Sequence, residues 1–438
     1  MSHDADGRLA PDKRGWLRPA PWLDPELAWH LQRPALQVLL LWMGIGLVVF
    51  FASMYFYTGS RSEHRALYYL LVFLPFLLFF LWRPSLWQML AGSMAMRLTL
   101  VLCVVAVASS FYAPTPFEVS ALYDNLRYAI LVLSFLALLF CLQSACPGYL
   151  RLLWVAVLLA AVASSIWHSA GYFMDLGGLH IGPRMDPGLS YISNPGPLSH
   201  FFVVGALIAF AFALRASKAR NTVVLLAAGF VCLVPVLLSQ SRGPLLAFGV
   251  ALLILLLVER RWMMTLVALI FGGLATLVIA SGMVDYRDMA DMKNIETRLA
   301  IYKVTLERVA EHPWLGHGWA ESNRVEVPGA RDYAHPHNTY LTVWFHGGLV
   351  SLGLFLALLF FACREFFLTA NRSSEVLAAF AVLVSFMVGS LVSTRAVFTN
   401  PDQGWLLFWV PVAVLGVLEL VRKKRKEIGM HSQGGAAE

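Results

Sequence analysis

Twelve apolar runs, most of them long enough to cross a bilayer, constrain this chain before any motif is considered. They fall at about 35–57, 66–82, 97–113, 127–146, 149–169, 198–215, 221–239, 243–258, 263–282, 338–362, 375–393 and 403–421. A span needs about 20 apolar residues. In lipid each backbone polar group must be satisfied within its own segment, so every run is read as a helix. The second and eighth are the shortest. The expected fold class is an all-α polytopic membrane protein with about 12 transmembrane helices. Only 13% of the 438 residues are charged, against about 25% in a soluble chain, which fits lipid as the main solvent.

The net charge of +7 raises nucleic acid as a partner. The basic residues, however, are spread over loops between apolar runs, so topology accounts for them and no nucleic acid is implied. With an even number of spans both termini share a side. That side receives Arg8, Lys13, Arg14, Arg18, Arg33, Arg215, Lys218, Arg220, Arg260, Arg261 and the run from Arg422 to Lys426. It holds about 20 of the 33 Lys and Arg but about 11 of the 26 acids. This is the bias of a cytoplasmic face. The expected order is a cytoplasmic segment at 1–34, nine spans over 35–282, a loop domain at 283–337, three spans over 338–421 and a cytoplasmic basic tail at 422–438. Residues 1–34 are too polar for a cleavable signal peptide.

Two loops on the opposite side are long, at about 170–198 and 283–337. Long loops between packed elements are functional or disordered, and these carry aromatic residues and prolines rather than low-complexity sequence. Within the second, residues 295–311 have Ile295, Leu299, Tyr302, Leu306 and Val309 at helical spacing. That pattern predicts an amphipathic helix, ended by Pro313. Trp314 and Trp319 in the following His312-Pro313-Trp314-Leu315-Gly316-His317-Gly318-Trp319 suit the headgroup level.

The residues that carry chemistry lie at the mouths of spans on this same side. In His335-Pro336-His337-Asn338-Thr339-Tyr340, two histidines and an amide crowd a helix start. Histidine suits proton transfer near neutrality, and Asn338 is placed to cap the helix. The alternative is an interfacial histidine that only anchors it. Arg242, in Ser239-Gln240-Ser241-Arg242-Gly243, is either a snorkelling loop charge or an anion site supported by the amides of the next helix. Arg298, on the polar face of the loop helix, and Arg184, in the first long loop, read by default as solvated cations. Arg395 begins the last turn on this side and faces Asp402 as a possible ion partner. His168, His200 and His346 lie in or beside spans and read as packing residues. The sparse carboxylates, such as Glu63, or Asp285, Asp288 and Asp291 spaced by three, point to no metal site and no cofactor.

Taken in order, these motifs resemble the O-antigen ligase and polymerase superfamily of bacterial envelopes, and within it the ligase (WaaL) type. The motif-bearing part runs over about 172–350. The resemblance implies a GT-C-like, metal-independent, inverting glycosyltransferase of the inner membrane with a periplasmic site. Its donor would be an undecaprenyl-diphosphate-linked glycan and its acceptor the lipid A-core oligosaccharide. It implies Arg242, Arg298 and His337 as catalytic residues, with Arg184, Ser241, His335, Asn338, Tyr340 and Arg395 at the substrate. The upstream family loop runs Arg, Gly, Asn-Pro-Asn; here it runs Arg184, Gly188, Asn194-Pro195-Gly196 and departs at the last position. Open alternatives are a polymerase or a protein O-oligosaccharyltransferase of the same superfamily, or a twelve-helix transporter or flippase. Against the transporter stands the lack of a clear internal repeat.

Overall fold

The computed structural model describes residues 34–81, 92–264 and 293–434, apart from 115, 147, 179–182, 187–191, 193, 328–331, 370–371 and 394–396. Eleven of the twelve expected spans coincide with an apolar helix. These are α1 (Pro34–Ser53), α2 (Arg61–Phe80), α3 (Met94–Tyr112), α4 (Val119–Ala145), α5 (Tyr149–Asp175), α6 (Pro195–Leu214), α7 (Ala219–Leu238), α8 (Arg242–Val258), α10 (Thr339–Leu368), α11 (Ser374–Gly389) and α12 (Gln403–Lys423). Among the described residues nine of them are long and apolar enough to cross a membrane, and α8 and α11 are shorter. The run at 263–282 lies almost wholly outside the described residues. The remaining helix, α9 (Lys293–Glu311), is the one expected in the second long loop.

Lipid tails are as apolar as leucine, so helices associate in a membrane by close packing and internal hydrogen bonds rather than by escape from water. The bundle follows this. Helices α4, α6 and α12 are central, with 83–89% of their apolar windows buried, against 28% for α2 and α7, which face outward. Gly205 of α6 lets Ala161 of α5 and Cys232 of α7 approach its backbone. The Phe366 and Phe380 rings stack at 3.7 Å between α10 and α11. Some polar side chains inside bond across helices: Tyr55 donates to Phe201 O at 2.9 Å, and Tyr149 to Gly44 O at 3.0 Å.

The two ends of the bundle differ. One carries the ion pairs Arg215–Glu259, Arg422–Glu365, Lys423–Glu419 and Arg151–Glu375. The other carries the starts of α6, α8 and α10, together with α9.

A kink in α10 explains the His312–Trp319 motif. Gly348 leaves the helical region (φ 63°, ψ −168°) and so frees backbone groups of the surrounding turn. The loop after α9 takes them up. His317 N–H donates to Phe345 O (2.8 Å) and Gly318 N–H to His346 O (2.9 Å), while Leu349 N–H donates to Pro313 O (2.9 Å). The Trp319 ring stacks on His346 at 5.5 Å. Trp314 is exposed, as a headgroup tryptophan would be, but Trp319 packs inward instead. A Cβ on Gly348 would meet the Trp314 carbonyl and adopt an unfavourable φ. Gly348→Ala is therefore expected to destabilise the protein by about 2–3 kcal/mol, read as a lower thermal midpoint and faster proteolysis after α9.

Candidate functional site

Two segments singled out in the sequence share one local design. Among the described residues only Gln240, Arg260 and His337 have positive φ without being glycine. Gln240 (φ 49°) precedes Ser241, the N-cap of α8, whose first residue is Arg242. His337 (φ 56°) precedes Asn338, the N-cap of α10. Left-handed backbone is costly for side-chain-bearing residues and collects at functional sites. In both segments it turns the chain sharply into a helix start. The Asn338 side chain then accepts from Leu341 N–H at 3.1 Å, the capping role expected of it.

The turn after α11, residues 390–393, joins the separate elements. Arg298 of α9 donates through Nη1 to Val392 O (3.1 Å), and Tyr302 one turn on donates to Leu391 O (3.0 Å). Asn338 Nδ2 donates to the same Leu391 O (3.2 Å). Thr339 N–H donates to Ser390 O (2.8 Å), and Tyr340 OH to Met387 O (3.0 Å). Gly243, beside Arg242, packs so closely that a Cβ there would lie 3.0 Å from Val392 Cγ2. Arg298, the Arg242–Gly243 step and the His337–Asn338 step, far apart in sequence, thus meet one short turn.

A second set of hydrogen bonds fixes the Arg242 side of this site. Arg184 donates through Nε to Ser239 O (2.8 Å) and through Nη2 to Ser241 Oγ (2.9 Å). Met185 N–H donates to Leu238 O at 3.0 Å. Ser199, one turn into α6, donates to Ser239 Oγ at 2.6 Å. Buried His200 fills the space beside Gly389, at the end of α11. Around His337, the His335 ring lies at 4.4 Å and the Tyr333 ring at 6.3 Å. Paired backbone hydrogen bonds between Tyr333 and Val325 (2.8 and 2.9 Å) hold this strand of the loop.

The starts of α6, α8 and α10 therefore lie at one end of the bundle, linked through Ser199, Ser239, Gly243 and the 390–393 turn. Helix starts carry partial positive charge and unpaired N–H groups. With the Arg242 side chain exposed and Arg298 half-buried, the end suits an anion, and a histidine stands beside it. Arg395 lies outside the described residues. Its suggested partner Asp402 caps its own helix by accepting from Gly404 N–H at 2.7 Å. His168 bonds its own helix at Ser164 O (2.9 Å), and His346 donates through Nδ1 to Gly318 O of the loop (2.9 Å), so both serve packing.

The apolar stripe read for α9 is only partly the buried one. Ile301, Thr305 and Val309 are buried, whereas Leu299 and Leu306 are exposed. The face that docks also carries Arg298, Tyr302 and Arg308, whose guanidinium sits 4.5 Å over the Phe345 ring. The sequence reading assigned Ser199 no role, and left Ser239 in its motif and Tyr302 on an apolar stripe without the bonds they make to Ser199 and Leu391 O. A serine one turn after the Asn-Pro helix start was the only available sign of the first.

Fold and site together define an all-α polytopic membrane protein with a cationic, histidine-bearing cluster at one end of the bundle. Residues 227–356 match the family model described as O-antigen ligase. Over 365 residues the chain is 28% identical to the O-antigen ligase of Pseudomonas aeruginosa, covering 83% of this chain and 87% of that protein. By both findings the chain is similar to O-antigen ligases. The matched segment contains Ser241, Arg242, Arg298, His335, His337, Asn338 and Tyr340, and excludes Arg184 and Arg395.

Proposed function

We propose that the protein transfers a glycan from undecaprenyl diphosphate to the lipid A-core oligosaccharide, with inversion and without a metal, at the periplasmic face of the inner membrane. The supporting observation is that Arg298, the Arg242–Gly243 step and the His337–Asn338 step contact the same turn at 390–393. The end bearing the Arg215, Arg422 and Lys423 ion pairs is then cytoplasmic by the positive-inside rule. The described part of the loop domain, from Lys293 onward, then lies on the far side.

The chemistry needs little beyond this set. An acceptor hydroxyl is a poor nucleophile, and His337 takes its proton as it attacks the anomeric carbon. The bond from that carbon to the diphosphate oxygen breaks on the opposite face, which inverts the configuration. Arg242 and Arg298, with the helix starts, stabilise the charge that gathers on the leaving diphosphate. The donor carries its own transfer potential, so no nucleotide is required. Ser241 and His335 border the reacting groups. Arg184, Asn338 and Tyr340 direct their donors to the protein's own backbone and to Ser241. Their part is to position Arg242, His337 and the 390–393 turn.

The test is a transfer assay with purified protein, lipid-linked glycan and lipid A-core. Appearance of the glycan on lipid A-core is the expected result. Longer lipid-linked chains with none on lipid A-core would replace this reading with polymerase action. Arg184→Ala is expected to lower kcat about tenfold with the protein still folded, because losing its charge-assisted hydrogen bonds loosens the turn before Arg242.

A further inference from the structure

A second cationic cluster stands at the same end of the bundle, outside the site just described. Arg65 and Tyr69 come from α2, and Tyr123, Arg127 and Tyr128 from α4. The Arg127 guanidinium carbon lies 5.5 Å from the Tyr123 ring centre and 5.1 Å from that of Tyr128. Tyr69 OH donates to Asn400 Oδ1 at 3.0 Å. Arg65 lies one helical turn before Tyr69 on α2, and the stretch of α2 from Tyr69 to Phe73 packs against α4, which carries Arg127.

The charges here do not balance. Asp124 pairs with Arg127 at 2.8 Å, with side chains 46% and 33% exposed. Among the described residues Arg65 has no carboxylate within ion-pair distance. The nearest acid in sequence, Glu63, is engaged by Ser60 N–H (2.9 Å) and Tyr57 OH (3.2 Å). The Nε atoms of Arg65 and Arg127 are both shielded from solvent without a hydrogen-bond partner. Leaving such donors unmade is costly, and inward-facing cations near a membrane boundary are functional by default. The cluster also connects with the first site. Tyr128 packs edge-on against Phe398 (5.9 Å) and Phe398 against Trp319 (5.4 Å). Asn400 and Phe398 belong to the segment that leaves the 390–393 turn.

Guanidinium forks match phosphate oxygens, and flat aromatic rings offer faces to a sugar. We infer that Arg65 and Arg127, with Tyr69, Tyr123 and Tyr128 around them, bind a phosphorylated sugar of the acceptor head group. The assignment to the acceptor rests on the function proposed above; the binding itself does not.

Isothermal titration of the full-length protein in nanodiscs, with the bisphosphorylated glucosamine disaccharide as probe, tests this. Wild type binds it at least tenfold more tightly than the dephosphorylated disaccharide or inorganic phosphate. Arg127→Gln and Arg65→Gln each remove most of that preference, and Arg127→Lys restores part of it. Should Arg127→Gln not fold, Arg65→Gln alone reads the same loss. In the transfer assay both variants raise KM for the phosphorylated acceptor about tenfold with kcat nearly unchanged, while KM for the lipid-linked donor stays the same. Equal binding of the phosphorylated and dephosphorylated probes by wild type, or unchanged preference in the variants, overturns the site. A rise in KM for the donor instead overturns its assignment to the acceptor. Preferential binding by a wild type that transfers nothing to lipid A-core would end the proposed function and leave the site standing.

Discussion

Replacing His337 by alanine is expected to reduce transfer to lipid A-core by about 10²–10⁴-fold, with the variant reaching the membrane in normal amount. The magnitude follows from its proposed role as base. Without a group that titrates near neutrality beside the hydroxyl, attack must proceed from the neutral alcohol. The local backbone supplies the control for folding. His337 holds φ 56°, a region glycine enters without strain. His337→Gly should therefore fold at least as well as His337→Ala and be equally inactive. Single-turnover transfer by the purified variants gives the rates. Residual transfer within threefold of wild type in either variant would remove His337 from the reaction.

Arg242→Ala and Arg298→Ala are each expected to lower transfer by about 10²–10³-fold, the scale of losing one preorganised donor to developing charge. The two losses should combine to less than their product, because the proposed mechanism sets both groups on one leaving group. Arg242→Lys is expected to stay impaired at least tenfold, since an ammonium cannot present the planar fork. Arg298 has a second duty, because its Nη1 also binds Val392 O. Arg298→Lys should then show a lower thermal midpoint as well as slower transfer. Rates and melting curves taken on the same preparations check both effects. Full transfer by Arg242→Lys would contradict diphosphate binding there.

The helices were legible because lipid leaves a chain few choices. Eleven apolar runs became helices near their expected positions, and the loop helix began at Lys293 rather than 295. The candidate residues were legible as types at helix mouths. What joins them was not, because the joining partners are backbone carbonyls at Leu391 and Val392, and a carbonyl leaves no mark in the sequence. Arg184 read as an exposed cation for the same reason: it bonds Ser239 O and Ser241, 55 and 57 positions away. The buried stripe of α9 was misjudged because its docking face includes Thr305, Arg298 and Arg308 beside Ile301 and Val309. Periodicity ranks leucine above all of these. Trp319 was taken for a headgroup anchor because nothing in the local sequence shows that Gly348 opens α10 to receive its loop.

The most direct measurement is a cryo-electron microscopy map of the full chain in nanodiscs with undecaprenyl diphosphate bound. The account expects the diphosphate between the Arg242 and Arg298 guanidinium groups, by the starts of α8 and α10, with the His337 ring facing it across room for one sugar. Density for the diphosphate at the opposite end of the bundle, among the Arg215 and Arg422 ion pairs, would contradict it.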